Sequence, residues 1–426
     1  MQIVIHGLNF HPEEVGCGRY NTELALWLAR RGHGVKVVTT PPYYPWWKVQ
    51  PPYEWHQYRH EQLETIEIFR CPLWVPERPT GLARIFHLFS FGLSSLPYAF
   101  VPPWRFTDPA FTPDLVFTVQ PTLFGAVSAL LMARVLGAKA WLHIQDFELE
   151  AALATRLIGL KKGGVLPVRV ANRLETFFYT RFHRLSVISR TMAQRLVDKG
   201  LREEQIIYLP NWVDTQEIKP APRLNALRTE LGLSEKAQVV LYSGSIGRKQ
   251  GLDIIPRIAP ALASTNPDLV FLLVGDGSGR SDLEQVVKKQ SLTNIRFAPL
   301  QPVERLNDLL NLADLHLVLL TKGVRDSVLP SKLTTIMAAG GTAIVSAEPG
   351  TELMQIINRT QCAQAVPPED EPALRLAIET LLDYPGRRRA IGTAARRLAE
   401  DRFGLDAVLS SFETQCLRYL NLPASR

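Results

Sequence analysis

Short apolar runs alternate along this chain with longer stretches whose apolar positions recur every three or four residues. In the first half, the runs at residues 2–6, 35–40, 65–70, 114–119, 138–144, 185–188 and 205–209 predict strands. Between them, the spacing of residues 21–31 puts Leu24, Trp27 and Leu28 on one helical face, and the period stops at Gly32, a residue suited to end a helix. Residues 123–136 carry a second such period, closed by Gly137. This alternation predicts a parallel sheet with helices on both faces.

Residues 210–236 break the rhythm; Pro210, Pro220 and Pro222 fall there, and the stretch reads as a linker. The alternation then restarts, with strands predicted at 238–243, 269–274, 295–298, 315–320, 342–346 and 363–366, and the final 40 residues read as purely helical. The fold class is therefore α/β, with two doubly wound halves. Ligands of such sheets bind outside the carboxyl ends of the strands, and two halves joined by a linker form a natural cleft.

Composition narrows this picture only in places. With 426 residues, 46% hydrophobic and 21% charged, the chain has enough apolar material for two cores and too little charge for disorder. Cys17, Cys71, Cys362 and Cys416 lie far apart without CxxC spacing, which fits neither a metal site nor a disulfide framework and points to a reducing, cytosolic compartment. The opening MQIVIHGLNF reads as a first strand rather than a signal peptide. The net charge of +7 implies a field that attracts nucleotide phosphates, nucleic acid or anionic headgroups. No nucleic-acid motif accompanies it.

Five segments carry candidate chemistry, and each also has a plain structural reading. Gly16 and Gly18, between the first strand and the first helix, would let a ligand approach the backbone near helix amides, or would simply make a tight turn. His143 ends a strand at Trp141-Leu142-His143-Ile144-Gln145-Asp146, where an open sheet contacts ligands; a lone histidine is otherwise structural. Gly244-Ser245-Ile246-Gly247-Arg248-Lys249 follows the first strand of the second half, with small residues and two cations suited to a diphosphate, or forms a solvated basic loop. Pro330-Ser331-Lys332 opens a helix that Ser331 could cap, with Lys332 reinforcing its positive end. Gly275-Asp276-Gly277 is either a further ligand turn or a tight connection.

In this order, and together with Pro210-Asn211-Trp212-Val213-Asp214 and Met337-Ala338-Ala339-Gly340, these segments resemble the retaining glycosyltransferases of family 4 over nearly the whole chain. Pro41-Pro42-Tyr43-Tyr44-Pro45 and Pro330-Ser331-Lys332-Leu333-Thr334 look closest to the colanic-acid-type exopolysaccharide enzymes. The resemblance implies a GT-B architecture of two Rossmann-like domains facing across a cleft: an acceptor-side domain over 1–214, a donor domain over 215–403, and a C-terminal helix over 404–426 that packs back toward the first. It implies sugar transfer, with retention, from a GDP- or UDP-sugar to a lipid-linked saccharide in exopolysaccharide or cell-envelope glycan biosynthesis. No Asp-x-Asp run occurs, so no metal or cofactor is expected. His143 would act at the reacting carbon, and Gly16, Gly18, Ser245, Arg248, Lys249, Ser331, Lys332 and Thr335 would bind the donor. Two departures stand out. Ser245 occupies the place of an arginine, which Arg248 could replace, and Ser327 and Thr335 stand where the family has two glutamates. Ser245 and Thr335 keep open a non-catalytic scaffold of a polysaccharide assembly complex, and a nucleotide-sugar epimerase of the same fold, which would act with no acceptor present, is a second alternative.

Residues 85–104 contain no Asp, Glu, Lys or Arg, between Arg84 and Arg105. Twenty such residues are long enough to span a bilayer, but three prolines, a histidine and a position between two strands of one sheet argue against it. An interfacial segment is expected instead, with Phe86, Phe89, Phe91 and Trp104 entering lipid and Lys161, Lys162, Arg169, Arg173, Arg181 and Arg184 attracting anionic headgroups. That places the protein in the cytoplasm, peripheral to the inner face of the membrane. A buried core helix is the alternative.

Overall fold

The computed structural model describes residues 1–77, 81–120, 123–147, 173–323 and 329–423. Lys161, Lys162, Arg169 and Ser327 lie outside these residues. The chain divides into two compact units, Met1–Pro210 together with Leu409–Arg426, and Asn211–Val408.

The first unit is built on an eight-stranded sheet. Its strands are β1 (Gln2–Gly7), β2 (Gly34–Thr39), β3 (Arg59–Leu63), β4 (Ile66–Arg70), β5 (Leu115–Gln120), β6 (Lys139–Ile144), β7 (Arg184–Val187) and β8 (Ile206–Tyr208), in the order β3-β4-β2-β1-β5-β6-β7-β8. All neighbours pair in parallel except β3 with β4. All seven runs expected from the apolar pattern are strands; β3 is additional. Its sequence, RHEQL, is mostly exposed at the sheet edge, so no apolar run marks it, and charge on an edge strand discourages further pairing. Gly32 and Gly137 take left-handed backbone and end their helices as expected. In the first case the amides of Gly32 and His33 return to the carbonyls of Ala29 and Leu28, closing the helix end.

The second unit carries β9 (Gln238–Ser243), β10 (Leu269–Val274), β11 (Ile295–Ala298), β12 (Leu315–Val318), β13 (Ala343–Ser346) and β14 (Gln364–Val366), all parallel, in the order β11-β10-β9-β12-β13-β14. β9 and β10 bury Val240, Tyr242, Phe271 and Leu273 against Ile255, Ile258 and Leu262 of the helix Ile254–Thr265. Each such large side chain contributes about 1.5–3 kcal/mol of burial. In each sheet the strand order reverses beside the first strand, between β1 and β5 and between β9 and β12. Those are the switch points where an open α/β sheet leaves a crevice at the carboxyl ends.

The proline-rich stretch after Pro210 is anchored rather than free. Val213 exchanges backbone bonds with Phe403 and Leu405, the amides of Lys219 and Ala221 bond Asn307 and Asn311, and buried Arg228 donates to the carbonyl of Leu312. The final residues are helical, in Pro385–Leu398 and Leu405–Leu420, with one wide turn over Ala399–Phe403 and a break at Gly404. Leu409–Arg426 belongs to the first unit, where Phe412 packs on Phe117 and Trp141, and Glu413 binds His33 at 2.7 Å and Arg31 at 2.8 Å.

The apolar segment is the helix Gly81–Ser95, continued by short turns at Pro97–Phe100 and Pro103–Arg105. By length and composition Ala83–Arg105 could cross a membrane. It is seated on the first sheet instead: His6 of β1 bonds Ser95, which bonds Ser128, and His87 bonds the carbonyl of Trp74. Phe91 and Trp104, expected in lipid, are buried in this packing.

Candidate functional site

The turn after β9 is shaped by its neighbour after β10. The amides of Gly244 and Ile246 donate to the carbonyls of Val274 and Asp276, and the amide of Gly279 returns to Ile246. Backbones lie so close that a methyl group on Gly275 would overlap the carbonyl oxygen of Gly244, and one on Gly277 would sit 2.5 Å from that of Ile246. Gly275-Asp276-Gly277 is thus the brace that holds the Gly244 turn, which is the structural of its two readings. Ser245 and Lys249 stand exposed on that turn. Arg248 begins the short helical turn Arg248–Gln250.

Lys332 reaches this turn from the helix Ser331–Ala338. Its ammonium lies 4.3 Å from the ring centre of Tyr242 and 3.0 Å from the Tyr242 hydroxyl, which in turn donates to the Ser245 carbonyl. A side chain on Gly244, which has φ +134, would meet Lys332 Nζ at 3.2 Å, so the glycine leaves room for the cation. Among the described residues no carboxylate pairs with Lys332, and burial pushes its pKa down to about 8. A half-buried cation without a counter-charge is unfavourable in the empty protein and favourable once an anion arrives. Ser331 does not cap its helix. Pro330 holds the cap position, and the hydroxyls of Thr334 and Thr335 both donate back to the Ser331 carbonyl. The first amides of that helix, Ser331 and Lys332, have no carbonyl partner within it.

In the first unit, Gly16 opens the helix Cys17–Arg30 with φ +60, stands exposed, and faces little but the Tyr44 ring at 3.8 Å. Gly18 differs from the expectation: it is buried, and an added methyl would sit 2.7 Å from Glu13 Cβ. Its small size is required by this packing. Two charged residues without an assigned role in the sequence reading brace this end of the sheet. Glu13 accepts the amides of Tyr43 and Tyr44 and the Asn9 side chain, each at 2.8 Å, although burial raises its pKa. Arg70 donates to the carbonyls of Thr40 and His11, both at 2.7 Å, and pairs with Glu61 at 3.0 Å.

His143 sits near the carboxyl end of β6, as expected, but is buried. Its Nδ1 is 2.9 Å from Ser186 Oγ, its Nε2 is 2.9 Å from the Gln145 amide nitrogen, and its ring stacks on Phe117. Burial lowers its pKa to about 3, so it is neutral at physiological pH and suited to contact or positioning rather than proton transfer.

The same burial holds His6 at about 3 and His87 at about 4 in the first unit, and His316 at about 4 in the second. Below the ordinary value of 6.5 the unfolded chain takes up protons that these folded sites refuse, so folding stability falls as pH drops from 6.5 toward 4. With three such histidines against one, the first unit is expected to melt at progressively lower temperature than the second over that range. Calorimetry between pH 7 and 5 checks this; a pH-independent first transition would contradict it.

Two family descriptions match the chain in succession, the glycosyl transferase 4-like domain over residues 15–212 and the glycosyl transferases group 1 over residues 225–398. A protein of Escherichia coli K12 named as a colanic acid biosynthesis glycosyl transferase, WcaI, is 39% identical over 417 residues, covering 97% of this chain and 98% of its own. The glycosyltransferase WbjE of Pseudomonas aeruginosa is 25% identical over 78% of this chain and 81% of its own. Among solved structures, a sucrose-phosphate synthase of Thermosynechococcus elongatus superposes with a TM-score of 0.71 at 18% identity over 99% of both chains. Anabaena HepE, solved with UDP-glucose, does so with a TM-score of 0.65 at 16% identity over 99% of both chains. With both sheets Rossmann-like and both family descriptions matched, this chain is a group 1 glycosyltransferase of the GT-B fold, similar over nearly its whole length to a colanic acid biosynthesis enzyme.

Proposed function

We propose that this enzyme transfers a sugar, with retention of anomeric configuration, from a nucleoside-diphosphate sugar to a lipid-linked saccharide in exopolysaccharide or cell-envelope glycan synthesis at the cytoplasmic face of the membrane. The observation that carries the reading is Lys332, a half-buried cation with no carboxylate partner among the described residues, at the braced turn after β9. HepE, similar in fold, binds UDP-glucose, and the name of WcaI points to an exopolysaccharide.

In this reading the unit Asn211–Val408 is the donor domain and the unit Met1–Pro210 with Leu409–Arg426 the acceptor side, a few residues from the boundaries expected at 214 and 404. Lys249, Lys332, Arg248, Ser245 and the first amides of the helix at Ser331 hold the diphosphate. As the glycosidic bond breaks, negative charge grows on the departing diphosphate, and cations already in place stabilise it without a metal ion. The acceptor hydroxyl attacks from the leaving-group face. His143, neutral, contacts the sugar or orients Gln145 toward it. Thr335, whose hydroxyl is turned onto its own helix, takes the position of a ribose-binding glutamate without its charge.

The test is a thermal-shift panel of nucleoside diphosphates and nucleotide sugars, because ligand binding raises stability with the logarithm of occupancy. One base is expected to stand out. Lys249→Ala should weaken that ligand by the value of a charge-assisted contact, about 1.5–3 kcal/mol or roughly 10–150-fold. Unchanged affinity removes Lys249 from the site, and no response to any nucleotide favours the scaffold reading. Turnover of the donor without acceptor, giving a rearranged nucleotide sugar, favours the epimerase.

A further inference from the structure

The helix Gly81–Ser95 and the turn after it are inside out. The positions that face the protein are His87, Phe91, Ser95 and Ala99, recurring every four residues. The positions that face outward are Phe86, Phe89, Leu93 and Phe100, with relative exposures of 60%, 47%, 59% and 57%. An ordinary surface helix turns its apolar stripe to the core and its polar groups to water. Here a histidine and a serine are inside, each bonded to a specific partner: His87 to the Trp74 carbonyl, Ser95 to His6 and Ser128. Phe86, Phe89 and Phe100 are outside, and Phe91 alone among the phenylalanines of this segment is inside. Val101 and Phe106 extend the exposed apolar surface beyond the stripe.

We infer that this outward face is the surface by which the protein docks on an anionic lipid bilayer, lying along the interface without crossing it. From Phe86 to Phe100 the stripe runs about 20 Å at the rise of a helix, more than scattered surface apolar residues would make. Its electrostatics select the partner. From residue 78 to residue 107 the chain has no Asp or Glu, while Arg84 and Arg105 stand exposed near its two ends. An apolar ridge flanked by cations and free of carboxylates matches an interface of acyl chains and anionic headgroups. The bonds of the inner face to β1 and to the Trp74 segment keep the helix on the sheet, so the insertion is shallow. The residues that enter lipid are therefore Phe86, Phe89, Leu93 and Phe100, and Phe91 and Trp104 are the anchor beneath them. This inference concerns where the enzyme sits and holds whichever nucleotide it uses.

The experiment is co-sedimentation of the full chain with vesicles of phosphatidylcholine alone or mixed with phosphatidylglycerol, at low and high salt, beside its sedimentation alone. Wild type is expected to bind the anionic vesicles, to lose part of that binding in high salt, and to keep a salt-resistant part. The triple variant Phe86→Ser, Leu93→Ser, Phe100→Ser changes only exposed positions and spares Phe89, which packs edge-on against Phe124 at 5.6 Å. It should retain its melting temperature and its nucleotide response, and lose the salt-resistant binding at least tenfold. The proposal is overturned if wild type binds neither kind of vesicle, if the variant binds as wild type does, or if the same substitutions abolish self-association of the chain, which would make the face an interface between copies. Nucleotide response is read in the same samples, so failure of docking and failure of the donor reading are separate results.

Discussion

Gly275→Ala is expected to cost several kcal/mol of stability in the second unit and to abolish nucleotide binding. The residue has φ +145, where an L side chain is strained, and its new methyl would overlap the carbonyl oxygen of Gly244. Strain of this kind costs about 1–3 kcal/mol, and overpacking a rigid contact about 1–3 more. The clash is backbone against backbone, so no rotamer change relieves it. The turn after β9 must retreat, and it carries both the room for Lys332 and the position of Ser245. Gly32→Ala is the control, since it shares a positive φ of +83 but has nothing within 4 Å of the added methyl. It should lose stability alone, with nucleotide response intact. Denaturant titration and isothermal calorimetry distinguish the two; a Gly275→Ala protein that binds nucleotide as tightly as wild type would show that the brace is not needed.

Lys332→Met is expected to make the empty protein more stable and the nucleotide complex much weaker. Methionine keeps the length of the side chain and its packing on Tyr242 while removing the charge that burial disfavours. The sign follows from the pKa. Lys332 is held at about 8 against an ordinary 10.5, so between those values the unfolded chain binds more protons than the folded one. Wild-type stability therefore gains from this residue as pH rises from about 8 to 10.5, and lacks that gain below 8. The variant should have a higher melting temperature at pH 7, by a few degrees at about 2–4 °C per kcal/mol, and should lose this pH-dependent increment. Its affinity for a nucleoside diphosphate should fall about 10–100-fold, the loss of a charge-assisted contact. In wild type, nucleotide binding above pH 8 should take up a proton, because the arriving anion restores the ammonium. A variant that is less stable at pH 7, or that binds normally, would place the lysine in a packing role.

Much of this was legible in the chain. Strand positions follow from runs of apolar residues, and helix ends at Gly32 and Gly137 follow from backbone freedom; both are local, so they survive without knowledge of neighbours. The ordered glycine turns, with Lys249 and Lys332, carried the family resemblance. The edge strand β3 was not legible, because a solvated edge needs no apolar signal. Nor was the part played by the Gly275 turn: only its contact with Gly244 shows that it braces the turn after β9. Glu13, Arg70 and Tyr242 escaped for a common reason. A charge or hydroxyl in a loop or at a strand end looks solvated in sequence, and its role depends on partners distant in the chain, as Arg70 and His11 illustrate. The helix Gly81–Ser95 is the sharpest case. Its composition announced an apolar segment, yet which phenylalanine is core and which is surface was decided by His6, Ser128 and the Trp74 carbonyl, whose hydrogen bonds turn the polar side inward. The sequence by itself determined the two doubly wound sheets and the family resemblance, because periodicity and turn residues act over a few positions. Tertiary structure alone decided which glycines serve packing, which cation lacks a partner and which face of that helix looks outward, because burial and pairing are properties of neighbours that the chain brings together only on folding.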